Sequence, residues 1–282
     1  MTRIVHFTVW GPGWGLAPEI TNPEQYKAFR QKAADLGFPK ATINCPPDHP
    51  YLPTLLTELE GLGWRAYHGY IPPELKPTHF QLRTIVEYEE SEIEAADLLC
   101  LSAWAEWHIT SFARRNGKRW VGHAGHDVGH LTGEGWNQTH GVVDGWRNYF
   151  VHPKVRAHFE KAGLQLIYHP LEWDKPELAQ GEFWEIDTPH VMPPCLNDMI
   201  TWEDGARVFE DGGCEPVELR FRRSEVAAMG DFDAAWTREE VGKPNDPRDG
   251  GHHLIVSQRF RRACLDYPLE HVSFVPVRLV DS

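Results

Sequence analysis

The stretch GHAGHDVGHLTGEGWNQTHG, running from Gly122 to Gly141, gathers four histidines. His123, His126 and His130 have the spacing H-x2-H-x3-H, and Asp127 and His140 are further donors in the same segment. Imidazoles so close together are the raw material of a zinc site, where three or four ligands converge at about 2 Å and other side chains orient the rings. On a helix, positions 126 and 130 would share a face and 123 would adjoin it. Gly122, Gly125, Gly129, Gly133 and Gly135 oppose a helix, since each glycine costs about 1 kcal/mol relative to alanine. The segment therefore reads as a loop. No HExxH and no H-x-E with a downstream PCxxC accompanies it. Two readings stay open. In one, His123, His126 and His130 hold zinc in a metal-dependent enzyme. In the other, which we adopt, the loop is a polar surface segment whose imidazoles gain charge at mildly acid pH, and no cofactor is expected.

Other catalytic patterns are weaker. There is no GxSxG elbow, and the serines at 102, 111, 224, 257 and 273 have no telling neighbours. GPGWG at Gly11–Gly15 follows a strand-like run but matches neither GxGxxG nor GxxxxGK[ST], so it reads as a turn. The five cysteines, Cys45, Cys100, Cys195, Cys214 and Cys264, form no CxxC pair. An odd, scattered set points to reduced thiols in a cytoplasm rather than a disulfide framework.

Carboxylates are the more prominent feature. The chain has 41 acidic and 28 basic side chains among 282 residues, a net charge of -13. Such a surface repels nucleic acid and anionic lipid and favours basic partners. EYEESEIEAAD concentrates acid around Glu89, Glu90 and Glu92. ITWEDGARVFEDGGCE adds Trp202, Glu203, Asp204, Glu210 and Asp211. Carboxylates interleaved with aromatics suit a surface that meets arginine and lysine, so these eight residues are the candidate partner contacts.

The elements that must position these groups are legible from patterning. The length allows one large domain or two small ones. Aromatics are 12% of the chain, including twelve tryptophans, and so many rings need a core. No window reaches eighteen consecutive apolar residues, and the N-terminus lacks the h-region of a signal peptide. TRIVHFTVW alternates like a strand, NPEQYKAFRQKAADLG reads as a capped helix, KATINC as a strand, PTLLTELEGLG as a helix and WRAYHGYI as a strand. This alternation predicts a small α/β lobe over residues 1–75, ended by the proline-rich PPELKPTH.

Beyond it, FQLRTIVEY reads as a strand, SEIEAADLL as a short helix with Ser91 and Glu94 in capping-box spacing, and LLCLSAW and KRWVGH as extended. HPKVRAHFEKAG is a helix closed by Gly163, followed by the strands LQLIYHPLEW, GEFWEID and PVELRFRR. GDFDAAWTREEVGKPNDPRDGG reads mostly as loop, and the end as strand, helix, strand. An internal echo relates the segments starting at Arg156 and Arg262, each with an aromatic twelve residues on and a proline at fourteen. Both prolines belong at strand ends or edges. The expected fold class is α+β, a mixed, mostly antiparallel sheet with flanking helices over 80–282, preceded by the α/β lobe.

The final third, VELRFRRSEVAAMGDFDAAWTREEVGKPNDPRDGGHHLIVSQRFRRACLDYPLEHVSFVPVRL, resembles the immunity proteins of bacterial polymorphic toxin systems, closest to the myxobacterial double-CxxCG group. The resemblance rests on Asp231, Phe232 and Asp233, then LIVSQRFRRAC, then an apolar strand ending FVPV. Both CxxCG pairs are absent here, so it carries over no zinc site. It implies a cytoplasmic, non-catalytic protein that binds and neutralises a cognate toxin with a basic surface, without nucleic acid or membrane as partner. An adaptor for another basic protein is the remaining alternative.

Overall fold

The computed structural model describes residues 2–8, 31, 42–45, 48, 52–61, 65–67, 79–103, 112–115, 119–122, 142–144, 149–170, 172–173, 183–201, 207–209, 218–242, 250–267, 269 and 272–281. These belong to two units. The first comprises Met1–Glu89, Asp198–Trp202 and Val208–Val217; the second comprises Glu90–Asn197, Glu203–Arg207 and Glu218–Ser282. Together they are α+β with mostly antiparallel strand pairing, as the patterning predicts. No helix among the described residues is long and apolar enough to cross a membrane.

The first unit holds β1 (Thr2–Thr8), β2 (Thr42–Cys45), helix α1 (Leu52–Gly61), β3 (Arg65–Tyr67) and β4 (His79–Glu87). The sheet order is β2-β1-β4-β3. β1 pairs antiparallel with β4 from Thr2↔Glu87 to Thr8↔Gln81, and β3 runs parallel to β4. The predicted lobe boundary therefore differs from the one observed. β4, assigned by sequence to the larger lobe, completes the N-terminal sheet. Its seven paired residues with β1 override the proline-rich joint, because a ladder gains one strand neighbour per residue whatever the composition of the connection. The helix expected over 22–37 lies outside the described residues, Gln31 apart.

The second unit begins with α2 (Glu90–Ala95), β5 (Leu98–Ala103), β6 (Phe112–Arg115), β7 (Arg119–Gly122), β8 (Val142–Asp144), β9 (Tyr149–Val151) and α3 (Pro153–Lys161). It continues through β10 (Ile167–Pro170), β11 (Glu172–Trp173) and β12 (Trp184–Asp187); next in chain order, β13 (Met199–Thr201) belongs to the first unit, and β14 (Arg207–Phe209) has Arg207 in the second unit and its other two residues in the first. It ends with β15 (Arg220–Arg222), α4 (Arg223–Ala227), β16 (Ala234–Trp236), β17 (Val241–Gly242), β18 (Gly250–Gly251), β19 (Leu254–Ser257), α5 (Gln258–Asp266) and β20 (Val272–Val280). Local chemistry explains several of these bounds. His152 caps α3, its Nδ1 accepting from the Lys154 N–H at 3.3 Å, with Pro153 in the first turn. Gly163 takes φ +73° just past the helix, where the left-handed conformation favours glycine. α2 starts at Glu90, so Ser91 lies inside it rather than capping it.

The five-stranded sheet β15-β20-β5-β19-β16 organises this unit. β20 and β19 flank β5 antiparallel, and β15 runs parallel to β20. Leu98–Leu101 are all buried, as are Leu254–Val256, so the sheet is covered on both faces. That is why LLCL and LIV read as continuous apolar runs rather than alternating ones. On one face Leu99, Leu101, Leu254 and Val256 meet Val155 and Phe159 of α3 and Phe260 of α5. The Phe159 and Phe260 rings lie 5.2 Å apart.

A strap, Thr188–Asn197, binds both edges of this sheet. The Trp236 N–H donates to His190 O (3.0 Å), and the Met192 N–H donates to Trp236 O (2.8 Å), which covers β16. The Leu196 N–H donates to Arg220 O (2.8 Å), and the Asn197 side-chain amide bonds Glu218 O and the Arg220 N–H, which covers β15. Flat, the outermost of five strands would sit about 19 Å apart. The four residue steps from Met192 to Leu196 reach at most about 14 Å. The sheet must therefore curl until its edges come within reach of one short segment.

Two expectations change. The segment predicted as mostly loop contains β16, β17 and β18; Ala234 and Ala235 are buried and pair with β19, a tertiary contact that overrides a loop-like composition. Of the echoed prolines, Pro170 ends β10, whereas Pro276 lies inside β20 opposite Leu99. β15 pairs only with Arg278–Val280, so at Pro276 its missing N–H meets a locally one-sided strand.

Phe260→Ala should lower unfolding free energy by about 3–5 kcal/mol, measured by denaturant titration. Leu265→Ala, on the same helix but 58% exposed, should stay within about 0.5 kcal/mol of the parent.

Candidate functional site

Among the described residues of the second unit, an elaborate polar constellation centres on Asp233, whose side chain is 2% exposed. Gly230, at φ +74°, turns the chain out of α4 and into Asp231–Phe232–Asp233 just before β16. The Asp233 carboxylate accepts from the Gln165 N–H (2.7 Å), the Ser257 hydroxyl (3.3 Å) and Arg259, which reaches it through both Nε and Nη2. Its backbone carbonyl accepts from the Ser257 N–H at 3.0 Å. Ser257 also caps α5, its Oγ accepting from the Phe260 N–H. One carboxylate thus ties β16, the start of α5 and the turn after α3. Burial pushes its pKa up and is the largest single influence, but the bonds from Arg259, the Gln165 N–H and Ser257 outweigh it and hold the group below its ordinary value.

Beside Asp233 opens a cleft of about 670 Å³. Leu98, Val226, Ala227, Phe232 and Leu279 give it apolar walls, and Asp97, Gln165, Asp231, Asp233, Ser257 and Arg259 are its polar groups. Asp97 and Asp231 are exposed at the cleft. Asp97 pairs with Arg223 at 2.8 Å, and Arg223 also reaches Asp281 at 3.2 Å. Phe232 leans on the His190 ring, 5.9 Å away.

A second arrangement lies on β10 and β12. His169 Nε2 sits 3.1 Å from Asp187 Oδ2, while Asp187 Oδ1 accepts from the Trp236 indole and the Thr188 N–H. A carboxylate held this way orients an imidazole for proton transfer or metal binding. Among the described residues, no three His, Cys, Asp or Glu side chains are grouped so as to hold an ion. Of the described thiols, Cys100 is buried with its sulfur 3.8 Å from His253 Nδ1. Burial pushes Cys264 well up, and burial first, then the Glu239 carboxylate, raises Cys195 to about 11 against a lowering backbone interaction with Asn197, so both are protonated thiols at neutral pH.

The residues predicted from sequence are placed unevenly. His123, His126, His130 and His140, with Asp127, lie outside the described residues, as do Trp202, Glu203, Asp204, Glu210 and Asp211. Glu89 is exposed and Glu92 half-buried. Glu90 opens α2 and pairs with the buried Arg261, so part of the acidic run neutralises an internal guanidinium. Gln258, one turn before Arg261, donates from Nε2 to Ile93 O and Ala96 O and so closes the other end of α2. The Asp233–Arg259–Gln165 constellation was not foreseen. Its members are separated by 26 and 68 positions, and no local pattern joins them. The available signal was a buried-type neighbourhood, Ala234 and Ala235, directly after an aspartate. Comparison with known protein families, curated proteins and solved structures finds no match to this chain.

Asp233→Asn removes the charge partner of Arg259 and should lower stability by about 2–4 kcal/mol. Because the native pKa lies below the unfolded one, wild-type stability from this group is complete above about pH 5 and is lost as pH falls through the lowered value. Stability measured between pH 7 and 3 should therefore fall more steeply in the wild type than in Asp233→Asn.

Proposed function

We propose that this chain is a cytoplasmic immunity protein that binds a basic bacterial toxin and neutralises it through protein–protein contact. The carrying observation is the acidic surplus, 41 carboxylates against 28 basic side chains. A field of that sign speeds the approach of a positively charged protein and acts over about a Debye length, about 8 Å at physiological salt. Exposed carboxylates on the second unit include Glu94, Asp97, Glu225, Asp231 and Asp281. Phe232, half-buried among the last of these, offers the apolar complement that charge pairs need to hold a complex once formed. The resemblance of the final third to toxin immunity proteins names the biological use of such binding.

Co-expression with the product of the adjacent gene should restore growth, and purification should recover a stoichiometric complex. Its association rate should fall at least about tenfold between low salt and 0.5 M salt, as steered encounters do. Failure of every neighbouring gene product to bind, or binding without rescue, defeats the proposal.

A further inference from the structure

We propose that His152 is an acid-sensitive catch on α3: when its ring takes up a proton, the first turn of the helix loses its cap and Val155 in that turn is loosened from the core. The proposal stands apart from the immunity reading and needs no partner. The residues that usually cap a helix, serine, threonine, asparagine and aspartate, keep one charge state between about pH 5 and 8, whereas an imidazole does not. His152 Nδ1 accepts from the Lys154 N–H at 3.3 Å, so the ring must be neutral with its proton on Nε2. Pro153 has no N–H, and the Arg156 N–H already reaches His152 O at 3.0 Å. That leaves Lys154 and Val155 as the first-turn amides with no partner inside the helix, and the imidazole serves the first of them.

Protonation turns Nδ1 from an acceptor into a donor, so that one N–H faces another. The imidazolium would also sit at the positive end of the helix dipole. On its own helix it meets the like charge of Lys154, while Arg156 is turned to the Trp184 ring and Glu160. On the paired strand, Phe183 continues the register Trp184↔Val151 and packs edge-on against the imidazole at 6.4 Å. Glu185 shares that face two residues on, but it is not among the groups that shift His152. On β9, the Tyr149 hydroxyl is spent on Leu101 O. Burial first, and then Lys154, hold the imidazole below its ordinary pKa. Val155, in the uncapped turn, is 1% exposed and belongs to the core. Further along α3, the His158 Nε2–H donates to Ala263 O at 2.9 Å and Phe159 packs on Phe260. These contacts do not involve His152, so acid frees the first turn without detaching the helix.

The test is amide hydrogen exchange on the full chain, read by NMR and corrected for the intrinsic pH dependence of exchange. The folded ring titrates below the ordinary value of about 6.5, so its contribution is complete above that value and is lost as pH falls through the lowered one. Between about pH 7 and 5, protection of the Lys154 amide should therefore fall about fivefold, the equivalent of one cap. The Phe260 amide is the control: it bonds the non-titrating Ser257 Oγ at 3.1 Å at the start of α5 and should keep its protection. His152→Asn supplies a cap that does not titrate and should hold the Lys154 amide across the whole range. His152→Ala removes the cap and should leave that amide as exposed at neutral pH as the parent's is in acid. Equal pH dependence in the parent and His152→Asn would overturn the catch. So would full protection of Lys154 in His152→Ala, or His152 ring resonances that titrate at or above about pH 6.5. If His152→Ala does not fold, the comparison of the parent with His152→Asn decides alone.

Discussion

A carboxylate taken out of water needs its lone pairs filled, and Asp233 shows how much structure that requirement organises. A guanidinium, a backbone amide and a hydroxyl converge on it from Arg259, Gln165 and Ser257. Each donor comes from a different place: the first turn of α5, the turn following α3, and the junction of β19 with α5. These elements can shift relative to one another only by breaking bonds to a group that has no solvent to replace them. The cleft wall is built on the same residues, so its shape inherits the rigidity of the constellation.

Helix α5 carries a second duty of the same kind. Its Gln258 and Arg261 hold the two ends of α2, the amide on carbonyls and the guanidinium on Glu90. Phe260 and Cys264 meanwhile face the core. A nine-residue helix thus offers its apolar stripe to the sheet and its polar flank to a neighbouring acidic helix. The acidic run has mixed use: Glu90 answers an internal charge, while Asp97 remains exposed at the cleft.

What could be read from sequence alone follows the range of the forces involved. Pro153 and Gly163 bracket α3 because capping and left-handed backbone are local preferences. The runs at Leu98–Leu101 and Leu254–Val256 identify strands buried on both faces for the same reason. Non-local pairing was hidden. β16 lies in a stretch rich in glycine, proline and aspartate and becomes a strand only because β19 is beside it. β4 joins the first sheet by a ladder with a partner some eighty residues earlier, and no feature of its own composition says which lobe it completes. The site was less legible than the fold. The acidic character was evident from counting, but Asp233, buried and fully bonded, looked no different in sequence from its exposed neighbour Asp231. Distinguishing them requires knowing that Arg259 and Gln165 come to rest beside residue 233.

The strap from Thr188 to Asn197 has a consequence for recognition. With Trp236 on one border of the curled sheet and Arg220 on the other already hydrogen-bonded to it, a visiting polypeptide finds no vacant backbone rung at these positions onto which it can zip as an additional strand. Main-chain zippering is indifferent to most side chains and so discriminates poorly. A border that denies it must be read through individual side groups, and its choice of ligand can be retuned by single substitutions while the scaffold stays unchanged.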